Sequence, residues 1–211
     1  MPIKNLFLTA SARVHLLSNI MEEIEVKFLN IDVPALEAKL TELGATRVFD
    51  RMYRRNVYDY PDLSLNAKNS WVRVRDEGDQ ITMGFKQRTG VTSSDTSTND
   101  GGMDEVEFVI SDYDKASLFL EKIGMTLKFY EENRRIRWIK DDVEFDIDYW
   151  PEIPPFVEIE APSWEKIDQT IALLGFNPED KKIFSNHQIY KSMGIEKHDY
   201  ISITFKGLIK R

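Results

Sequence analysis

Cysteine is absent from the 211 residues, which excludes disulfides, thiolate metal sites and cysteine nucleophiles. That absence fits a reducing compartment, and a cytoplasmic protein is expected. No apolar run approaches the ~20 residues that cross a bilayer as a helix, so a soluble chain without a membrane partner is expected. Positive charge is in deficit: 28 Lys and Arg stand against 36 Asp and Glu, a formal charge of −8 that argues against general nucleic-acid binding. Histidine occurs only as His15, His187 and His198, each isolated in sequence and expected on the surface or in packing. Gly101-Gly102 lacks the lysine and helix context of a phosphate loop. What is present is globular: 42% hydrophobic and 30% charged residues, in a chain long enough for one domain with a real core.

The charges are arranged in strand-like alternation. Glu23-Ile24-Glu25-Val26-Lys27, Glu105-Val106-Glu107-Phe108-Val109 and Phe156-Val157-Glu158-Ile159-Glu160 each place two glutamates at alternate positions. Side chains in a strand alternate between faces, so each glutamate pair points one way and its apolar neighbours the other. Glu144, Asp146 and Asp148 alternate with Val143, Phe145, Ile147 and Tyr149. Arg73 and Arg75 alternate with Val72 and Val74, and Arg135 and Arg137 with Ile136 and Trp138. Antiparallel sheets do solvate one face, but repeated like-charge neighbours on a strand repel each other. Such a face suits a polyanion held through divalent metals.

Around these strands the helix signals recur. Asp32-Val33-Pro34 opens a helix closed by Gly44; a second runs from about Asp112 to Ile123 before Gly124, with Leu118 and Leu120 inward. Ser163 caps a third that ends at Leu174 before Gly175, and a short fourth covers about Ser185–Met193. Strands are expected at Arg51–Tyr60, Trp71–Asp76, Ile81–Gln87, 104–110, 127–139, 142–149 and 156–161, with a further one at Tyr200–Phe205. Thr89 to Gly102, rich in Ser, Thr, Asn, Asp and Gly, reads as a mobile loop over one mouth of the site. Residues 1–20 read as a poorly ordered leader or a start-site artefact before Met21, and 21–211 as a single domain. The expected fold is α+β: a closed antiparallel eight-stranded β-barrel, a tunnel lined with the charges, with helices packed outside.

These runs, in this order, resemble the CYTH superfamily, the triphosphate tunnel metalloenzymes. The resemblance rests on the E-x-E-x-K of Glu23 to Lys27, then Trp71-Val72-Arg73-Val74-Arg75, Phe85-Lys86, Glu105-x-Glu107, Arg135 ahead of Trp138, Asp146-Ile147-Asp148 and the Glu158/Glu160 strand. It implies metal-dependent hydrolysis of a triphosphate-containing small molecule, whether inorganic triphosphate, a nucleoside triphosphate or thiamine triphosphate. The same family includes class IV adenylyl cyclases, which turn ATP into cyclic AMP and pyrophosphate; a non-catalytic binder of organic phosphate is the remaining alternative. No adenine-recognition pattern is seen, which favours hydrolysis. Mg²⁺ or Mn²⁺ is expected on Glu23, Glu25, Asp146, Asp148, Glu158 and Glu160, because these ions prefer hard oxygen ligands. Lys27, Arg73, Arg75, Lys86, Arg135 and Arg137 are expected on phosphate oxygens. Lys27 is also expected at the reacting centre, and Glu105 and Glu107 there either bind a second metal or orient the water. Of Arg54 and Arg55 one only can face the site, and the sequence leaves open which. A homodimer is also left open.

Overall fold

Charge alternation and helix caps become the architecture directly. The computed structural model describes residues 24–88 and 103–211; Glu23, the leader and the 89–102 loop lie outside them. Ten strands form one sheet: β1 (Ile24–Leu29), β2 (Thr46–Asp59), β3 (Ser70–Asp76), β4 (Ile81–Arg88), β5 (Met103–Ile110), β6 (Thr126–Lys140), β7 (Val143–Trp150), β8 (Ile153–Ala161), β9 (Tyr200–Thr204) and β10 (Gly207–Lys210). The helices are α1 (Val33–Glu42), α2 (Tyr113–Lys122), α3 (Trp164–Leu174) and α4 (Asn186–Ser192). Asp32, Asp112 and Ser163 each accept a backbone N–H in the first turn, and Ser185 forms a capping box with Gln188. None of the described helices is long and apolar enough to cross a membrane.

The sheet runs β1-β8-β7-β6-β2-β3-β4-β5, with β9 added parallel to β6 and β10 paired to β9. Its apolar face carries the helices. Val26, Ile136, Phe145, Ile147, Val157 and Ile159 bury against α1 and α3 through Leu36, Leu40, Ile167 and Ile171. Tyr58 and Val74 bury against α2 through Tyr113 and Leu120. Leu118, expected inward beside Leu120, is exposed instead. Two helical residues two apart point about 200° away from each other, so one buries and the other faces water.

The expected closed barrel of eight strands needs correction. Among the described residues hydrogen bonds do not close the sheet; β1 and β5 are the ends of the path. The outer edge of β1 is instead engaged by the segment before α4, where Lys27 and Lys182 exchange backbone hydrogen bonds of 2.8 and 2.9 Å. The terminal hairpin adds the ninth and tenth strands; its second half was not read from the sequence.

Gly84 shows how tightly β4 and β5 lie. A Cβ there would stand 2.8 Å from the Val106 carbonyl oxygen and 3.2 Å from the Glu107 Cα. Gly84→Ala is therefore expected to displace β5, lowering stability by ~1–3 kcal/mol. Urea unfolding checks it; an unchanged midpoint would show that the strands slide apart freely.

Candidate active site

Strand register assembles the charged face row by row. Directly opposed residues of an antiparallel pair share a face. Across β1, β8 and β7 the first row is Glu25, Glu160 and Glu144. The second is Lys27, Glu158 and Asp146, continuing onto Arg137 of β6. In the third, Phe156, Asp148 and Arg135 align, and Arg135 meets Arg51 of β2. Beyond β2 the face continues through Arg55 opposite Arg75, then Arg73 opposite Gly84 and Gly84 opposite Glu107; Lys86 faces Glu105. Every expected site residue from Glu25 onward thus falls on one face, and Glu23 lies outside the described residues.

Phe156 closes one end of this face. It is fully buried with Trp150, Ile153, Ile189, Tyr190 and Ile203, so α4 and β9 cap the trough there. Tyr190 anchors the cap by donating to the Pro151 carbonyl at 2.8 Å.

The acidic half is knitted together by two arginines. Arg135 donates to Asp148 through Nε at 2.8 Å and Nη2 at 2.6 Å, to Asp146 through Nη1 at 2.6 Å and to Glu158 through Nη2 at 2.6 Å. Arg137 holds Asp146 bidentately at 2.7 and 2.6 Å and reaches Glu144 at 2.7 Å. Lys27 pairs with Glu25, and with Glu158 at 3.2 Å. Burial pushes the Asp148 carboxyl up to about 6 against the pull of Arg135, with Glu158 adding to the rise. For Glu158 the order reverses: burial raises it, but Lys27 and Arg135 together hold it down, to about 2.

The other half is cation-rich. Arg73 and Arg75 share Glu107 at 2.6 and 3.2 Å, Arg75 also meets Glu77 at 2.5 Å, and Lys86 holds Glu105 at 2.6 Å. Burial, then repulsion from Arg73, lowers the pKa of both Arg55 and Lys86; burial and Arg75 do the same to Arg73. Glu107 is lowered despite burial, because Arg73 and Arg75 stabilise its charge. Among the described residues, the buried Nε donors of Arg55, Arg73 and Arg75 have no hydrogen-bond partner. Buried guanidinium N–H groups without partners are costly, and an anion's oxygens are the complement they lack.

Register settles what sequence left open. Arg55 takes the charged face, over the Trp150 ring, while Arg54 turns out to Asp76. Arg134 likewise turns out to Asp50. Arg51, Glu77 and Asn133 were not in the expected site, and Glu144, already placed on the charged face by alternation, was given no role there; continuing the two-residue alternation from Arg135 would have found Asn133.

Glu158→Gln leaves Lys27 and Arg135 short of a buried partner and should cost ~2–3 kcal/mol at neutral pH. Because the folded pKa of Glu158 is depressed, its stabilisation is present above its unfolded pKa of about 4.3 and is lost as pH falls toward 2. The variant's deficit should shrink over that window. Urea unfolding of wild type and Glu158→Gln at pH 7 and pH 3 checks this; a deficit that stays constant on acidification would contradict it.

Comparison with known proteins follows the same lines. The family model for the CYTH domain matches residues 21–172. No curated protein matches the chain closely enough to count as a relative. Among solved structures, a Pyrococcus horikoshii OT3 protein superposes with a TM-score of 0.64 at 19% identity, covering 79% of this chain and 98% of its own. A Vibrio parahaemolyticus protein named as a candidate adenylate cyclase gives 0.64 at 13%, covering 80% and 97%. A Hippeastrum protein, named as a candidate adenylyl cyclase with a dominant triphosphatase activity, gives 0.54 at 13%, covering 81% and 95%. At these identities the likeness is one of fold.

Proposed function

We propose, for a chain that belongs to the CYTH domain family, that the charged face binds a triphosphate-containing small molecule and hydrolyses its terminal anhydride with Mg²⁺ or Mn²⁺. The observation that carries this reading is the set of buried, partnerless Nε donors on Arg55, Arg73 and Arg75, in a half of the face where cations crowd one another. A polyphosphate relieves both the repulsion and the missing hydrogen bonds.

The acidic half suits the metal. Its donors are carboxylates alone, the hard oxygens that Mg²⁺ and Mn²⁺ select. Glu25, Glu160 and Glu144 lie side by side in one row, and Glu158 and Asp146 follow in the next. These five would hold the ion; Asp148, bound bidentately by Arg135 and fully buried, orients Arg135 instead. In this structure Glu25, Glu144, Asp146 and Glu158 turn to Lys27, Arg135 and Arg137, so metal and substrate arrive by exchanging partners: carboxylates to the ion, cations to the phosphates. When bound, the ion neutralises phosphate charge and orients the anhydride.

The remaining work belongs to the chain. Arg73, Arg75, Lys86 and Lys27 hold phosphate oxygens and spread the equatorial charge of transfer. Glu107, kept ionised by its two arginines, can accept a hydrogen bond from the attacking water once phosphate draws those arginines away. Water attacks the terminal phosphorus in line and the bridging P–O bond breaks toward the remaining phosphates. The name of the Hippeastrum neighbour, which couples triphosphatase activity to a cyclase label, supports hydrolysis and keeps cyclisation as the second reading. Product analysis with ATP and Mg²⁺ or Mn²⁺ separates them. Orthophosphate with ADP is expected; cyclic AMP with pyrophosphate would replace hydrolysis by cyclisation, and no turnover would leave a binder.

A further inference from the structure

The two histidines that look isolated in sequence are neighbours in space. His187 lies in the first turn of α4, and His198 in the short 3-10 turn Lys197–Asp199 that leads into β9. Their rings are 4.9 Å apart between centroids. Glu196 completes a trio: its Oε1 is 3.6 Å from His187 Nε2, and one ligand atom from each of the three residues lies within 4.8 Å of the others. This is the one group of three or more His, Asp or Glu ligands so gathered among the described residues.

We propose that His187, Glu196 and His198 bind a borderline-soft divalent transition ion of the Zn²⁺ class, at a site separate from the charged face. Ligand atoms around tetrahedral Zn²⁺ stand roughly 3.3 Å apart, given bonds of about 2.0–2.1 Å, so small side-chain rotations close the trio. Two imidazoles with one carboxylate select such an ion over Mg²⁺, which prefers oxygen throughout. All three residues reach solvent, so the ion can enter, and three protein ligands leave a fourth position for water.

The surrounding chain holds the ligands in place. Glu196 Oε1 accepts the His198 backbone N–H at 3.3 Å, which fixes the carboxylate beside the turn. The His198 ring lies 5.6 Å from that of Phe129, and its carbonyl accepts from Arg211 Nε at 3.0 Å. Lys197, between the two turn ligands, would oppose a cation if it pointed the same way. It is buried instead, its ammonium 2.5 Å from Glu131. Lys128 and Lys191 also lie near; Lys128 donates to Asn66, and Lys191 is exposed, so water and salt screen its charge.

A metal here would tie α4 to the turn that leads into β9, and α4 and β9 cap one end of the trough through Ile189, Tyr190 and Ile203. Its expected effect is a firmer cap, seen as an upward shift of Tm when Zn²⁺ is added.

The test is calorimetric titration of Zn²⁺ into the protein in excess Mg²⁺, which competes for the carboxylates of the sheet. Co²⁺ absorption provides the second readout. Wild type should bind one Zn²⁺ equivalent and give the intense visible bands of a tetrahedral Co²⁺ site. His187→Ala and His198→Ala should each weaken Zn²⁺ binding at least ~10-fold and lose those bands. Glu196→Gln keeps the oxygen that accepts the His198 N–H, so it should fold as wild type and still bind more weakly. Absence of Zn²⁺ binding by wild type, or affinities and spectra unchanged in all three variants, would overturn the proposal.

Discussion

Arg135→Met is expected to lower the unfolding free energy by about 3–5 kcal/mol at neutral pH, the largest stability effect of any single change on the charged face. Methionine roughly preserves volume, so the loss is electrostatic. Asp148, Asp146 and Glu158 accept four hydrogen bonds from this one guanidinium, and Asp148 has no exposed surface. Lys27 and Arg137 would still serve Glu158 and Asp146; Asp148 would keep only the Asn133 amide at 3.2 Å. The loss should depend on pH in a fixed direction. Asp148 already titrates near 6, above the unfolded value of about 3.9, and removing its cation raises it further. A group with a raised folded pKa destabilises fully above that pKa, and the penalty fades as pH falls toward the unfolded value. Urea unfolding at pH 7 and pH 5 should therefore show a smaller deficit at pH 5. A deficit that stays constant or grows on acidification would mean that Arg135 acts through packing.

Arg73→Met should reduce kcat/KM for triphosphate hydrolysis by about 10- to 100-fold, the range for one charge-assisted hydrogen bond of 1.5–3 kcal/mol. Stability should change far less than in Arg135→Met. Glu107 keeps Arg75 as a partner, and the departing charge relieves Arg55 and Lys86, both of which Arg73 repels. Steady-state kinetics beside urea unfolding separate the two outcomes. A large fall in stability with unchanged kinetics would make Arg73 a structural residue of the β3–β5 segment.

Much of this site is legible in the sequence, because strand alternation needs only a period of two. Once Glu25, Glu158 and Arg135 define a face, Lys27, Glu160 and Arg137 must share it, and the register bears this out. The adjacent pair Arg54 and Arg55 defeated the same reasoning: with no neighbouring alternation to set the phase, either could have faced inward. Closure could not be read either, since it depends on which group takes the free edge of β1, and Lys182 takes it from more than 150 residues away along the chain. His187 and His198 read as isolated surface or packing residues, because their meeting depends on how α4 and the following turn pack, a contact with no periodic signature. Leu118 was misplaced by ignoring helical geometry that the sequence already contained.

The most direct test of a metal-dependent triphosphate site on this face is ³¹P NMR of the wild-type protein with inorganic tripolyphosphate, run with Mg²⁺ or Mn²⁺ and again with excess chelator. Loss of the tripolyphosphate signals with growth of orthophosphate and pyrophosphate, only when the divalent ion is present, is the expected result. Intact tripolyphosphate under both conditions, together with no binding heat on titration, would contradict it.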